Sequence, residues 1–118
     1  MQAEIKSFHS PDIDDLEQNM PQEADNFSFY LEMSIGPKKG EGEVIFGVTV
    51  CTPKCFAEEF KQSEVIFPIN RVFVFKYDFN QIMTRLEHFV GTRSGDSWNE
   101  IATKISKVAY WEFEDYQS

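Results

Sequence analysis

The sequence predicts an α+β fold: an antiparallel β-sheet built around a long hairpin, with two to three amphipathic helices packed mainly on one of its faces. Three observations carry that reading. Two runs of alternating apolar residues flank the turn-rich segment Gly36-Pro37-Lys38-Lys39-Gly40-Glu41-Gly42. Two later runs repeat apolar residues at the three-and-four spacing of a helix. A chain of 118 residues, 42% of them hydrophobic, can bury a core without disulfide or metal staples, so residues 1–118 are expected to form one domain.

The elements follow in order. Ala3-Glu4-Ile5-Lys6-Ser7-Phe8-His9 reads as a strand that stops at Ser10-Pro11. An acidic connection carrying Asp12, Asp14, Asp15 and Glu17 comes next, with Pro11 and Pro21 at its margins. It is either a solvated loop or a recognition surface in which Ile13, Leu16 and Met20 anchor the backbone and the carboxylates stay outside. In the hairpin, side chains switch sides at every residue. Phe27, Phe29, Leu31, Met33 and Ile35 therefore share one face, and Ser28, Tyr30, Glu32 and Ser34 share the other. Val44, Phe46, Val48 and Val50 alternate likewise with Ile45, Gly47, Thr49 and Cys51. The apolar face must be covered by something later in the chain.

Thr52-Pro53 starts a short helix, Thr as N-cap and Pro in the first turn. It should run to about Lys61 with Phe56 and Phe60 on its buried side. Val65 to Pro68 suggests a short extended piece. Arg71-Val72-Phe73-Val74-Phe75-Lys76-Tyr77 is apolar on both faces, the pattern of an interior strand covered on both sides. Asp78 can cap a helix whose stripe is Phe79, Ile82, Met83, Leu86, Phe89 and Val90, ending at Gly91. Asp96 can cap another, with Trp98, Ile101, Ala102, Ile105, Val108 and Ala109. The short Gly91-Thr92-Arg93-Ser94-Gly95 link makes these two antiparallel neighbours that cover the hairpin. Tyr110-Trp111-Glu112-Phe113-Glu114-Asp115-Tyr116 closes the chain as a last strand or extended tail, Trp111 and Phe113 inward.

Catalytic chemistry finds little to use. His9 and His88 are the only histidines, and neither has a nucleophile or metal ligand at motif spacing. The acids at 12–17 lack the Gly and the spaced Glu of a calcium loop, and the hairpin glycines lack the Gly-Lys-Ser/Thr of a phosphate loop. Cys51 and Cys55 are four apart, which is neither a zinc pattern nor a disulfide framework, and reduced thiols in a reducing cytosol are expected. No catalytic residue, cofactor or metal site is predicted, and the chain reads as a non-enzyme. No apolar run reaches the length of a membrane span.

Charge points to a partner. The net charge is −9, and the excess is uneven: residues 1–35 carry eight acids against one Lys, whereas residues 36–77 carry five against six basic residues. Nucleic acid, which is held by clustered Lys and Arg, is not an expected partner. A basic protein is.

The opening Ala3-Glu4-Ile5-Lys6-Ser7-Phe8-His9-Ser10-Pro11-Asp12, the central Phe46-Gly47-Val48-Thr49-Val50-Cys51-Thr52-Pro53-Lys54 and the closing Trp111-Glu112-Phe113-Glu114-Asp115-Tyr116 resemble the immunity protein 8 family of bacterial polymorphic toxin systems. Where that family carries a Trp shortly after the Thr-Pro, this chain has Lys54-Cys55-Phe56. The resemblance implies a cytoplasmic immunity protein that binds and neutralises a cognate toxin C-terminal domain, a basic protein and often a nuclease. Its contacts would come from Asp12, Asp14, Asp15 and Glu17 at one end and Glu112, Glu114 and Asp115 at the other, with Tyr30 and Tyr116 as aromatic anchors. The alternative from another class is a small-molecule-binding α+β domain whose pocket is lined by some of the twelve Phe, a count that also suits an ordinary core.

Overall fold

The fold is that of a computed structural model, described over residues 1–112. Its centre is the expected hairpin. Strand β2 (Ser28–Pro37) pairs antiparallel with β3 (Val44–Cys51), in register from Ser28 opposite Cys51 to Ile35 opposite Val44. The turn between them needs Gly42 at φ +93°, backbone that side chains other than Gly rarely adopt, and it is tied to the N-terminal strand by a bond from the Lys6 Nζ to the Gly40 carbonyl.

Strand β1 (Ala3–His9) adds antiparallel to the outer edge of β2, with a bulge between Ile5 and Ser7. Its partner positions place Ile5 and Phe8 on the side of Ile35 and Met33, toward the core. On the far edge of β3 lie two short strands: β4 (Arg71–Phe73), which runs parallel to β3, and β5 (Tyr110–Trp111), which runs antiparallel to it. The sheet is thus mixed, in the order β1-β2-β3-β4 with β5 also beside β3. The α+β fold around a hairpin is as expected. A parallel pairing was not, and its cause is the long connection through a helix and loop that carries the chain back before Arg71.

Helix α1 (Pro53–Glu59) starts as predicted, with the Thr52 Oγ1 accepting from the Cys55 N–H at 3.3 Å. None of its residues is fully buried. Phe56 and Phe60 are half-buried, their ring centroids 4.7 Å apart, with the Arg71 guanidinium over both rings and Phe73 edge-on to Phe56. Arg71 and Phe73 share a face with Thr49 and Cys51, so α1 covers a corner of the sheet's outer face rather than the core. Cys51 at the end of β3 and Cys55 within α1 are free thiols. Burial, with Glu59 next in size, pushes the Cys55 thiol pKa up.

Helices α2 (Phe79–Gly91) and α3 (Trp98–Ile105) cover the inner face. The predicted stripe of α2 is the one buried, with Ile82, Met83, Leu86 and Val90 inside, and Asp78 caps it through its carboxylate. In α3 the cap is Ser97, not Asp96. The Ser97 Oγ accepts from the Glu100 N–H, which makes Ser97 the cap, and the Glu100 carboxylate reaches one residue further back to accept from the Asp96 N–H. The helix ends at Ile105, where the Val108 N–H turns to the Ile105 carbonyl, so Val108 and Ala109 pack from a turn rather than from a fourth helical row. Trp98 is only half-buried.

Two further expectations change. β4 spans three residues at an open edge instead of an interior strand of seven, leaving Phe73 and Phe75 exposed. Residues 65–68 form no strand. Phe27, Phe29 and Phe46 are core residues filling the space between sheet and helices. Among the described residues, no helix is long and apolar enough to cross a membrane.

Candidate functional site

With α2 and α3 on one side, the other side of the hairpin carries Tyr30, Glu32 and Ser34 of β2 beside Thr49, Gly47 and Ile45 of β3. At its middle, Gly47 has no side chain, and the Tyr30 ring lies diagonally across the space this leaves. A Cβ built on Gly47 would sit 1.6 Å from the Tyr30 Oη and 2.3 Å from its Cζ. An aromatic laid over a cross-strand glycine is held against the sheet while its edge stays open to a partner. Tyr110 is opposite Gly47 on the other flank, so two tyrosines share this face.

Burial pushes the Tyr30 phenol above its ordinary value near 10, and the Glu32 and then the Glu112 carboxylates add to the rise. The hydroxyl is a neutral donor at any physiological pH. His9 Nε2 stands 3.8 Å from Glu32.

Asp12 is exposed, and its Oδ2 accepts from the Tyr30 N–H at 2.7 Å. The bond fixes the acidic loop to the start of β2, so Asp12 positions Tyr30 as well as offering charge. Asp14, Asp15 and Glu17 are exposed along the same loop, which is shaped by bonds from Asn19 to the carbonyls of Asp14 and Asp15 and by Asp15 at φ +50°. With Phe8, His9 and Ile13 they line a concavity of about 480 Å³. Leu16 is buried and its carbonyl accepts from the Tyr77 hydroxyl at 2.9 Å, while Ile13 is half-buried. Met20 does not anchor the loop: it is 68% exposed, because the chain leaves the core before reaching it. Among the described residues, no group of three or more His, Cys, Asp or Glu side chains could hold a metal ion.

Of the predicted contacts, then, Asp12, Tyr30 and Glu112 come together, and Asp14, Asp15 and Glu17 form a neighbouring rim. Glu114, Asp115 and Tyr116 lie outside the described residues. The strands from the two ends, β1 and β5, are not neighbours, since the hairpin separates them. Sequence reasoning left out Glu32 and Tyr110. Glu32 was findable, because alternation already puts it on the Tyr30 side; Tyr110 depends on the β5 register, which no local pattern reveals.

A family model described as Immunity protein 8 matches residues 3–116. No curated protein and no solved structure gives a significant match.

Proposed function

The chain belongs to the immunity protein 8 family, and from that premise we propose that it neutralises a cognate toxin domain of nuclease type in the producing cell's cytosol by covering a basic active-site surface with the outer face of its hairpin. The observation that carries this is the open tyrosine-bearing face, with Tyr30 seated over Gly47 and within the field of the Glu32 and Glu112 carboxylates, on a chain of net charge −9. A nuclease must present cations where it holds phosphates, and the same cations attract this face. Long-range attraction speeds encounter, and the acidic loop at 12–17 extends the field. Residence then depends on desolvated anchors, for which a propped tyrosine is well suited, since it loses little side-chain freedom on binding.

The test is co-expression with the toxin's C-terminal domain, scored by co-purification and rescue of growth. A tight complex with rescue supports the reading. Neither complex nor rescue, with the toxin active and this chain folded, overturns it. Neutralising Asp14, Asp15 and Glu17 together should slow association and flatten its salt dependence, leaving the Asp12 support of Tyr30 intact. Tyr30→Ala should instead speed dissociation.

A further inference from the structure

The least explained surface is the apolar band at the β4 edge. Phe67 is 81% exposed and Phe75 83%, and Val65, Ile69 and Phe73 are exposed with them. Folding leaves on the order of 600 Å² of large apolar side chains in water there, the upper end of the largest patch an ordinary monomer carries and a size that often marks a binding surface. Beside it, β4 and its continuation form one wall of a groove of about 500 Å³ whose other wall is α2, with Ile82, Leu86 and Phe89 at its base and Lys76 and Arg85 among its lining residues.

We propose that this band is a self-association face, occupied by the same band of a second copy of the chain. Two observations select that occupant. The first is charge. From Val65 to Lys76 there is no acidic residue, and the groove contains none either. Two chains of net charge −9 repel over most of their surfaces, and this edge is where they can meet with few carboxylates facing, since Glu59 at its margin stands 3.8 Å from the Arg71 guanidinium. A basic toxin has no charge reason to land there, since its attraction is toward the Tyr30 face and the acidic loop. The second is shape. The same edge carries projecting side chains and a groove, so a two-fold axis lets each copy's projections enter the other's groove, the self-complementarity an isologous pair requires. The exposed side chains with the groove walls approach the roughly 800 Å² per partner of a standard interface. Lys76 and Arg85 can lay their stems along the rim with their charges in water. The Tyr30 face is left available to the toxin.

Sedimentation equilibrium of the full chain over micromolar to several hundred micromolar concentrations tests this. The wild type should show a monomer–dimer equilibrium that tightens with added salt, as the repulsion between the acidic chains is screened. Phe67→Asp with Phe75→Asp should weaken dimerisation about a hundredfold without altering the far-ultraviolet spectrum, because both side chains already face water. A wild type monomeric throughout overturns the proposal. So does a dimer that survives the double substitution, or a double variant whose only defect is lost toxin binding, which would give the band to the toxin. A wild-type dimer that neither binds the toxin nor rescues growth would count against the proposed function alone.

Discussion

The hairpin and the segment from Val65 to Phe75 are both rich in large apolar residues, yet one is the driest part of the molecule and the other among the wettest. Ile35, Phe46, Val48 and Val50 have no exposed surface, whereas Phe67 and Phe75 keep more than four-fifths of theirs. Composition does not separate them. Pairing does: the inward residues of β2 and β3 have cross-strand neighbours and belong to one core with residues of α2 and α3, while β4 pairs with β3 for three residues and then departs. Period-two alternation with a polar counter-face marks burial on one side. Apolar residues on both faces can mean an interior strand or an edge awaiting a partner.

The sharpest way to break that comparison is to truncate one Phe from each region. Phe46 is fully buried and stacks on Trp111 at 6.1 Å, so Phe46→Ala should cost about 3–5 kcal/mol in urea unfolding. Phe67→Ala, at concentrations dilute enough to keep the chain monomeric, should change stability by less than about 0.5 kcal/mol. Equal losses would mean that the band packs in solution.

Next in size is the point where the hairpin meets α1. The Thr52 Oγ1, wholly buried, accepts from the N–H of Phe27 at 3.1 Å and from that of Cys55, and the Phe27 carbonyl accepts from the Thr52 N–H. Thr52→Val keeps the volume but strands the Phe27 N–H in the core, a loss of about 2 kcal/mol. A smaller effect belongs to Tyr77, where the exposed segment returns to the core. Its ring packs edge-on against Phe27 at 5.4 Å and its hydroxyl donates to the Leu16 carbonyl, clamping the acidic loop to the hairpin. Tyr77→Phe should cost about 1 kcal/mol and raise amide exchange in residues 12–19 more than in β2 or β3.

The same contrast explains how far the sequence could be read. The hairpin, the α2 stripe, the Thr52 and Asp78 caps and the outward side of Tyr30 are set by local periods and by hydrogen bonds to residues three or four away, so they are legible in one chain. Ser97 was missed as a cap because Asp96 is equally suitable on its own, and what decides is where the chain turns, which puts the Glu100 N–H on the Ser97 Oγ. β4 and β5 depend on which distant strand accepts them. At the site, Tyr30 and Asp12 were legible as types, but their contact joins residues eighteen apart, and the reason for Gly47 becomes visible only when the ring of Tyr30 is seen to lie over it.

The smallest effect concerns pH. Burial raises the phenol pKa of both Tyr77 and Tyr30, with Glu32 and Glu112 adding to the rise at Tyr30. The unfolded chain releases these protons near pH 10, and the folded chain retains them to higher pH, so across that interval the unfolded state binds fewer protons and stability falls as pH rises. Below it neither phenol contributes any pH dependence. Alkaline titration followed by phenolate absorbance should therefore show Tyr30 and Tyr77 ionising late. Tyr30→Phe should remove one of the late pair, and with it the part of the alkaline loss that arises on the outer face. If Tyr30 ionised at its ordinary value instead, its ring would not be held down over Gly47, and the face would have no rigid anchor to offer a partner.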